Sequence, residues 1–115
     1  MIDQRRATRV ASDLPARYQT SEILLEGWAG NLSQGGMFFV GPAIDRGVGD
    51  VRVEIALPEF SPLMLAGEVR WVEEGPVHFG MGIRFVNVAR FERQLLANYL
   101  LRRTYHHSSS GSSPA

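Results

Sequence analysis

The sequence predicts an all-β domain with one C-terminal helix, in which six short strands form a closed or nearly closed antiparallel barrel. Six apolar or alternating segments, separated by residues that favour turns, precede a single segment with helical spacing. The chain has 115 residues, of which 44% are hydrophobic, and this suffices for one small domain with its own core. We expect the barrel and helix over residues 10–104, between a flexible arm (1–9) and a disordered tail (105–115).

Three strands are predicted in the first half of the chain, over residues 14–19, 22–29 and 37–40. Residues 31–36 read NLSQGG and lie between the second and third strands, where Asn and Gly favour a turn. Residues 1–9 are polar and lack apolar periodicity, and they are therefore predicted to form the exposed arm.

The other three strands are predicted over residues 51–57, 63–72 and 79–85. In the first of these, every second side chain is a large apolar one, which is the clearest strand pattern in the chain. In the second, Val69 and Trp71 fall on one face. In the third, Gly80 and Gly82 reduce strand stability unless another group approaches the backbone closely or the strand bends there.

The apolar period changes after the sixth strand and becomes helical. The residues with this spacing are Phe91, Leu95, Leu96, Tyr99 and Leu100. They predict a helix over about 88–103, with Asn87 as its N-cap. Arg102 and Arg103 suit the negative end of the helix dipole, so the helix is expected to end there. The residues beyond are of low complexity, which is typical of a disordered tail.

Composition excludes several classes of protein. The 12 Lys and Arg residues balance 12 Asp and Glu residues at a pI near 6.8, which argues against a general binder of polyanions. There is no cysteine, and hence no disulfide framework or thiolate chemistry. No apolar run approaches the roughly 18–20 residues of a membrane span, and the N-terminus lacks a signal-peptide core. We therefore expect a cytoplasmic protein without membrane insertion.

Few residues indicate catalysis. His78 stands alone in a predicted turn, and no residues have the spacing typical of a metal site. Ser33 has no visible His and Asp partners that would activate it as a nucleophile, and the adjacent Glu73 and Glu74 have no acid/base partner. We expect a binding protein that is not an enzyme and that uses neither a metal nor a cofactor.

The segment Arg5-Arg6-Ala7-Thr8-Arg9 concentrates positive charge in a neutral chain. One interpretation is a solvated basic arm. The other is an anion clamp, because the planar guanidinium binds phosphate, or the O6/N7 edge of guanine, through two parallel hydrogen bonds. Arg5 and Arg9 point to the same side in an extended arm, about 13 Å apart, and come within about 6 Å in a helical turn. Either form can contact two groups of one ligand.

The NLSQGG segment also has two interpretations. It can be a turn in which Asn31 or Ser33 bonds a nearby backbone amide and one of the glycines takes a positive φ. The same atoms can bind the edge of a purine, because Asn31 has both an acceptor and a donor and the Ser33 hydroxyl can act as either. Gly36 would let the backbone come close to a flat ligand.

Together these motifs resemble the PilZ domain, a family of bacterial receptors for the second messenger cyclic di-GMP. The matching residues are Arg5-x-x-x-Arg9, Asn31-x-Ser33-x-x-Gly36, Gly67-x-Val69-x-Trp71 and the glycine-rich last strand from Gly80 to Phe85. The resemblance covers about residues 4–103. It implies a six-stranded antiparallel barrel that binds the ligand on its outer surface, with the N-terminal arm folded over it.

The resemblance also implies roles for the residues that match. Arg5 and Arg9 should bind the phosphates and the faces or edges of guanine, with Arg6 assisting. Asn31 and Ser33 should recognise a guanine. Members of the family have Asp or Asn at the first loop position, and the neutral Asn31 gives up the charge-assisted hydrogen bond of a carboxylate.

Two further residues are implied by the resemblance. Gly36 should shape the loop. Trp71 corresponds to a position from which some relatives stack an aromatic ring on a guanine. Its alternation with Val69 equally predicts a tryptophan in the core.

The mechanism that the resemblance implies is a switch driven by the ligand. The arginine arm becomes ordered on the barrel, and a partner protein of the motility or envelope machinery reads the new surface. Since few residues precede Arg5, the output is expected to act in trans. Two alternatives remain open: an adaptor of PilZ type that binds only proteins, and a small β-barrel that binds nucleic acid through its arginines and aromatic rings.

Overall fold

The computed structural model describes residues 10–46, 50–58 and 62–112, and within these ranges the side chains of residues 12–103. This part of the chain forms six strands and one helix. The strands are β1 Val10–Gln19, β2 Leu24–Leu32, β3 Gly36–Gly41, β4 Val51–Ile55, β5 Leu63–Glu74 and β6 Phe79–Val86. The helix, α1, spans Arg90–Ser112. The predicted fold class, a six-stranded antiparallel barrel with one C-terminal helix, is confirmed.

The strands close into a barrel in the order β1-β2-β3-β6-β5-β4, and β4 pairs back onto β1. All neighbouring strands are antiparallel. Most neighbours in space are also neighbours in sequence, but β3 pairs with β6. Consequently the outer faces of β2, β3, β6 and β5 form one continuous surface.

Three irregularities in the strand register change which side chains face outward. They lie between Ala11 and Leu14 on β1, between Ala29 and Asn31 on β2, and between Val69 and Trp71 on β5. Each inserts an extra residue, after which the inward and outward positions are exchanged. On β2, Ala29 and Leu32 are therefore both buried, although they are three positions apart and would lie on opposite faces of a regular strand. The strand continues through Leu32, so the turn before β3 is shorter than the predicted NLSQGG turn.

Two aromatic rings lie at the centre of the apolar core. Tyr18 and Phe39 are fully buried, with ring centroids 5.9 Å apart. The Tyr18 hydroxyl donates a hydrogen bond to the carboxylate of Asp45, in the loop after β3. Burial, together with this carboxylate, raises the pKa of Tyr18 above its usual range. The backbone N–H of Asp45 in turn contacts the sulfur of Met81 on β6 at 3.3 Å, so the loop is attached to the core at two points.

Helix α1 begins later than the sequence predicts. The carbonyl of Ala89 accepts the first helical hydrogen bond, from the N–H of Arg93, which makes Ala89 the N-cap. The Glu92 carboxylate accepts the N–H of Ala89 at 3.2 Å, as in a capping box. The prediction of Asn87 as the N-cap is wrong: Asn87 has a φ of 52°, a left-handed conformation that Asn adopts more easily than most residues.

The helix also ends later than the sequence predicts. It continues to Ser112, so residues 105–112 are helical rather than disordered, and residues 113–115 lie outside the described part. Arg102 and Arg103 consequently lie within the helix, not at its end; Arg103 donates a hydrogen bond to the Tyr99 hydroxyl one turn earlier. Serine has only a modest helix penalty, which explains how the serine-rich segment can remain helical.

One side of the helix joins the barrel core. Leu96, Tyr99 and Leu100 are buried there, and Leu95 packs against them. Phe91, which the spacing places on the apolar face, is instead 72% exposed. In the part of the chain that the structure describes, no helix is long and apolar enough to span a membrane.

Candidate functional site

Two glycines on β6 are covered by aromatic rings on the outer face of the barrel. A Cβ atom added at Gly80 would overlap the ring of Phe38, and one added at Gly82 would overlap the ring of Trp71. The two rings are stacked at 24°, with centroids 6.4 Å apart. Both positions therefore need glycine, because an aromatic ring lies close to the backbone at each of them, as expected from the sequence. The rings supply the packing that side chains at these positions would otherwise give.

The register shift on β5 explains why Trp71 lies outside the barrel. Val69 is opposite Ile83 and packs against the core, but Trp71 is opposite Gly82, one position further. After the shift, Val72 packs against the core and Trp71 is 48% exposed. The interpretation of Trp71 as a core residue, which assumed a regular strand, is wrong.

The turn between β2 and β3 is held by hydrogen bonds of Ser33. Its backbone N–H donates to the Gly36 carbonyl at 2.9 Å. Its hydroxyl donates to the same carbonyl at 3.4 Å and accepts the N–H of Gly35 at 3.3 Å. The Gly35 carbonyl accepts the N–H of Phe85 at 2.8 Å, which joins the turn to β6. The turn thus holds Ser33 in a fixed place on the rim of the barrel.

Gly36 lies where two strands approach each other closely, a role that the sequence does not indicate. Neither Gly35 nor Gly36 has a left-handed φ, so the turn does not depend on positive φ. A Cβ atom at Gly36 would overlap the carbonyl oxygen of Ile83 on β6. At Gly35, by contrast, no atom lies within 4 Å of the added Cβ. Gly36 is needed because β3 and β6 approach each other closely there.

Two rows of outward-facing residues cross the barrel beside this turn. From β3 through β6 to β5, one row is Gly36, Arg84 and Glu68, and the other is Phe38, Gly82 and Trp71. A groove with a volume of about 570 Å³ lies between the turn and these rows. Among the residues that line it are Asn31, Ser33, Gly36, Arg70, Trp71 and Arg84. The structure therefore brings together four of the predicted site residues: Asn31, Ser33, Gly36 and Trp71.

Charged side chains lie at the β5 side of the groove. Glu68 pairs with Arg70 at 3.4 Å and with Arg84 at 3.9 Å, through the same carboxylate oxygen. Glu73 also lines the groove. All three paired side chains are more than half exposed, so these ion pairs add little stability and can be exchanged for a ligand. Sequence reasoning missed Arg70 and Arg84, although the alternation of β6 indicates that Arg84 faces outward.

The predicted arginine arm, with Arg5, Arg6 and Arg9, lies outside the described residues. The structure does show where the chain leads to them. Val10, the first described residue, pairs with Leu32, next to Asn31 at the end of β2. The arm is therefore attached to the barrel beside the turn that lines the groove.

No cluster of three or more His, Asp or Glu side chains that could hold a metal ion occurs within the described ranges. The site is instead a concave surface with amide, hydroxyl, guanidinium and aromatic groups around it. These groups bind through hydrogen bonds, charge and stacking.

The closed barrel, its C-terminal helix and the groove with an aromatic floor define this protein as a small β-barrel domain with a candidate binding surface. The family model of the PilZ domain matches residues 3–102, and the chain therefore belongs to the PilZ family. No match was found among curated protein sequences.

Solved structures with the same fold include two proteins. The PilZ domain of YcgR from Escherichia coli, solved with c-di-GMP, superposes with a TM-score of 0.76 at 14% identity, over 96% of this chain and 98% of that one. The inhibitor of motility MotI (DgrA) from Bacillus subtilis superposes with a TM-score of 0.75 at 24% identity, over 89% of this chain. The match covers only 52% of the MotI chain, so this chain corresponds to about half of that protein.

Proposed function

We propose that this protein is a bacterial cytoplasmic receptor that binds cyclic di-GMP in the groove, without catalysis. The observation that carries the proposal is the position of Asn31 and Ser33 on one side of the groove and the exposed Trp71 ring on another. Hydrogen-bonding groups beside a flat aromatic surface suit a guanine base. Membership of the PilZ family and the c-di-GMP complexes of YcgR support the same ligand.

Ser33 is suited to accept a hydrogen bond from guanine. Its hydroxyl already donates to the Gly36 carbonyl and accepts from the Gly35 amide. One lone pair of the oxygen remains, and it can accept an N–H of the base. Asn31 is exposed at the end of β2, where its amide can pair with the base as both donor and acceptor.

Arg5, Arg6 and Arg9 supply the positive charge for the two phosphates in this proposal. Support comes from the pairing of Val10 with Leu32, which attaches the arm beside the groove. Without ligand the three guanidinium groups repel one another, and the phosphates neutralise that repulsion. Ordering the arm costs about 1–2 kcal/mol per residue fixed, so the affinity depends on the number of arginine contacts that form.

The proposed output is a change of surface that a partner protein recognises. The ordered arm and the bound ligand together form that surface, and the barrel itself need not change. A partner in the motility or envelope machinery is supported by the likeness to MotI, which is described as an inhibitor of motility.

Isothermal titration of the full chain with cyclic di-GMP tests the proposal. Arg5→Ala and Arg9→Ala should abolish measurable binding, because each removes a charged contact to the ligand. Ser33→Ala should weaken binding by about 1–3 kcal/mol, or about 5- to 150-fold, as expected for a ligand group left without its partner. Arg17→Ala is the control: it likewise removes one positive charge, but Arg17 lies on β1, pairs with Glu26 and Glu54, and does not line the groove.

The outcomes separate the proposal from its alternatives. If wild type shows no heat with cyclic di-GMP at high concentration, the receptor proposal is wrong and the adaptor without ligand becomes the better description. If wild type binds but the three variants bind equally well, the ligand is bound elsewhere. Binding of oligonucleotides that falls steeply with salt would instead support the nucleic-acid binder.

A substitution at Asn31 is expected to strengthen the binding of cyclic di-GMP, unlike the alanine variants. Asn31→Asp introduces a carboxylate, which accepts the N1–H and N2–H of guanine in charge-assisted hydrogen bonds. We expect tighter binding, by about 1 kcal/mol or roughly fivefold, at unchanged barrel stability. Weaker binding of Asn31→Asp would show that residue 31 does not face the Watson–Crick edge of a guanine.

A further inference from the structure

Arg84 on β6 also lines the groove, but it has no part in the binding scheme proposed above. It is opposite Gly36 on β3 and Glu68 on β5. Ser33, Gly36 and Arg84 all line the groove. The Arg84 side chain is 61% exposed.

The Arg84 guanidinium is within reach of a base that stacks on Trp71. The Trp71 ring lies over Gly82, and Arg84 is two residues further along β6 on the same outer face. Two residues of strand span about 6.7 Å, a distance that an extended arginine side chain can bridge. A planar base on Trp71 could therefore present one edge within reach of Arg84.

The charge around Arg84 favours the edge of a base over a phosphate. Glu68 pairs with both Arg84 and Arg70, and Glu73 lines the same side of the groove. Two positive and two negative side chains balance here, so this side does not attract an anion in the way that the arginine arm does. A neutral acceptor edge needs only the directed donors of a guanidinium.

We infer that Arg84 is a specificity-determining residue, which donates two hydrogen bonds to O6 and N7 of a guanine stacked on Trp71. This inference rests on the proposed function. Arginine has donors only, and adenine presents an amino donor at the position of guanine O6, so Arg84 disfavours adenine. Glu68 lies 3.9 Å from the guanidinium on the β5 side of the groove, and this exposed ion pair can be exchanged for the base.

A double-mutant cycle between protein and ligand tests the inference. The probes are cyclic di-GMP and its 7-deaza analogue, in which C–H replaces N7 of both guanines. Wild type, Arg84→Ala and the control Arg17→Ala are titrated with both as full chains. We expect Arg84→Ala to bind cyclic di-GMP about 5- to 150-fold more weakly than wild type, the range of one bidentate contact to guanine. It should also lose most of the preference that wild type shows for cyclic di-GMP over the analogue.

Each other outcome overturns the inference in a distinct way. If Arg84→Ala binds cyclic di-GMP like wild type while Ser33→Ala does not, Arg84 is not a ligand residue although the receptor function stands. If Arg84→Ala weakens both probes by the same factor and Arg84→Lys restores both, the contact is to a phosphate. If wild type binds neither probe, the proposed function itself fails. Urea unfolding of each variant verifies that the barrel is intact.

Discussion

The replacement of Gly36 by alanine tests the close approach of β3 and β6 at the turn. The added Cβ overlaps the carbonyl oxygen of Ile83 and lies 3.2 Å from its carbonyl carbon and 3.3 Å from the Cα of Arg84. These atoms belong to backbone and cannot rotate away, so the strands must separate. A carbon atom normally stays about 3.3 Å or more from a carbonyl oxygen, so the local separation must be on the order of 1 Å.

The expected loss of stability follows from that separation. Overpacking of a closely packed site costs about 1–3 kcal/mol. Each strand hydrogen bond that weakens beside Gly36 adds about 0.5–1.5 kcal/mol. We therefore expect Gly36→Ala to lower the free energy of unfolding by about 2–4 kcal/mol, a large fraction of the 5–15 kcal/mol typical of a small domain.

Gly35→Ala is the matched control, because it adds the same methyl group one residue away. No atom lies within 4 Å of that added Cβ, and we expect a change within about 1 kcal/mol. Urea unfolding followed by circular dichroism gives the midpoint and slope for each variant. Equal midpoints for the two variants would refute the reasoning, because the cost would then not come from contact with β6.

Three further predictions concern a tyrosine, an aromatic ring and the helix start. The pKa of Tyr18 is raised in the folded state, so its contribution to the free energy of unfolding is fully present below the usual tyrosine pKa of about 10. Above that pH, the free energy of unfolding should fall by about 1.4 kcal/mol per pH unit. Tyr18→Phe should remove this dependence in alkaline urea titrations, which no lysine or cysteine obscures because the chain has neither. Gly82→Ala should displace the Trp71 ring and change the tryptophan emission spectrum, whereas unchanged emission contradicts the described packing. Glu92→Ala removes the capping hydrogen bond and should lower stability by about 0.5–1 kcal/mol, measured by thermal unfolding; no change means that the cap is unimportant.

The number of strands and their positions along the chain follow from local patterns that the sequence shows directly. Alternation in residues 51–57 and 79–85 reflects one buried face, and it needs no knowledge of the neighbouring strands. The exposure of Trp71 could not be predicted in this way. It depends on an extra residue in β5 relative to β6, and the pairing of two strands is not visible in either strand alone.

The ends of the helix were harder to predict for a local reason. Asn87 is a far better N-cap residue than Ala89, and propensity alone therefore favours it. The observed cap depends on Glu92, three residues after Ala89, and this spacing was the signal that could have located the start. At the other end, a serine-rich composition predicts disorder, but it does not by itself terminate a helix.

Residues that a local motif assigns to the site could be predicted from the sequence. Arg84, which the pairing of several strands brings to the site, could not. Asn31, Ser33 and Gly36 lie in one short segment, and the structure brings all three to one groove. Arg84 reaches the same groove only because β6 pairs with β3 and β5, a relation between segments far apart in the chain. The arginine arm remains a prediction.

The aromatic cover of β6 has a consequence for dynamics. If Trp71 rotated away, it would uncover the backbone of Gly82, which has no side chain of its own to exclude water. If the proposed function holds, Trp71 offers the ligand a preorganised surface within the sheet. Amide hydrogen exchange in β6 should accordingly be slow without ligand and change little on its addition.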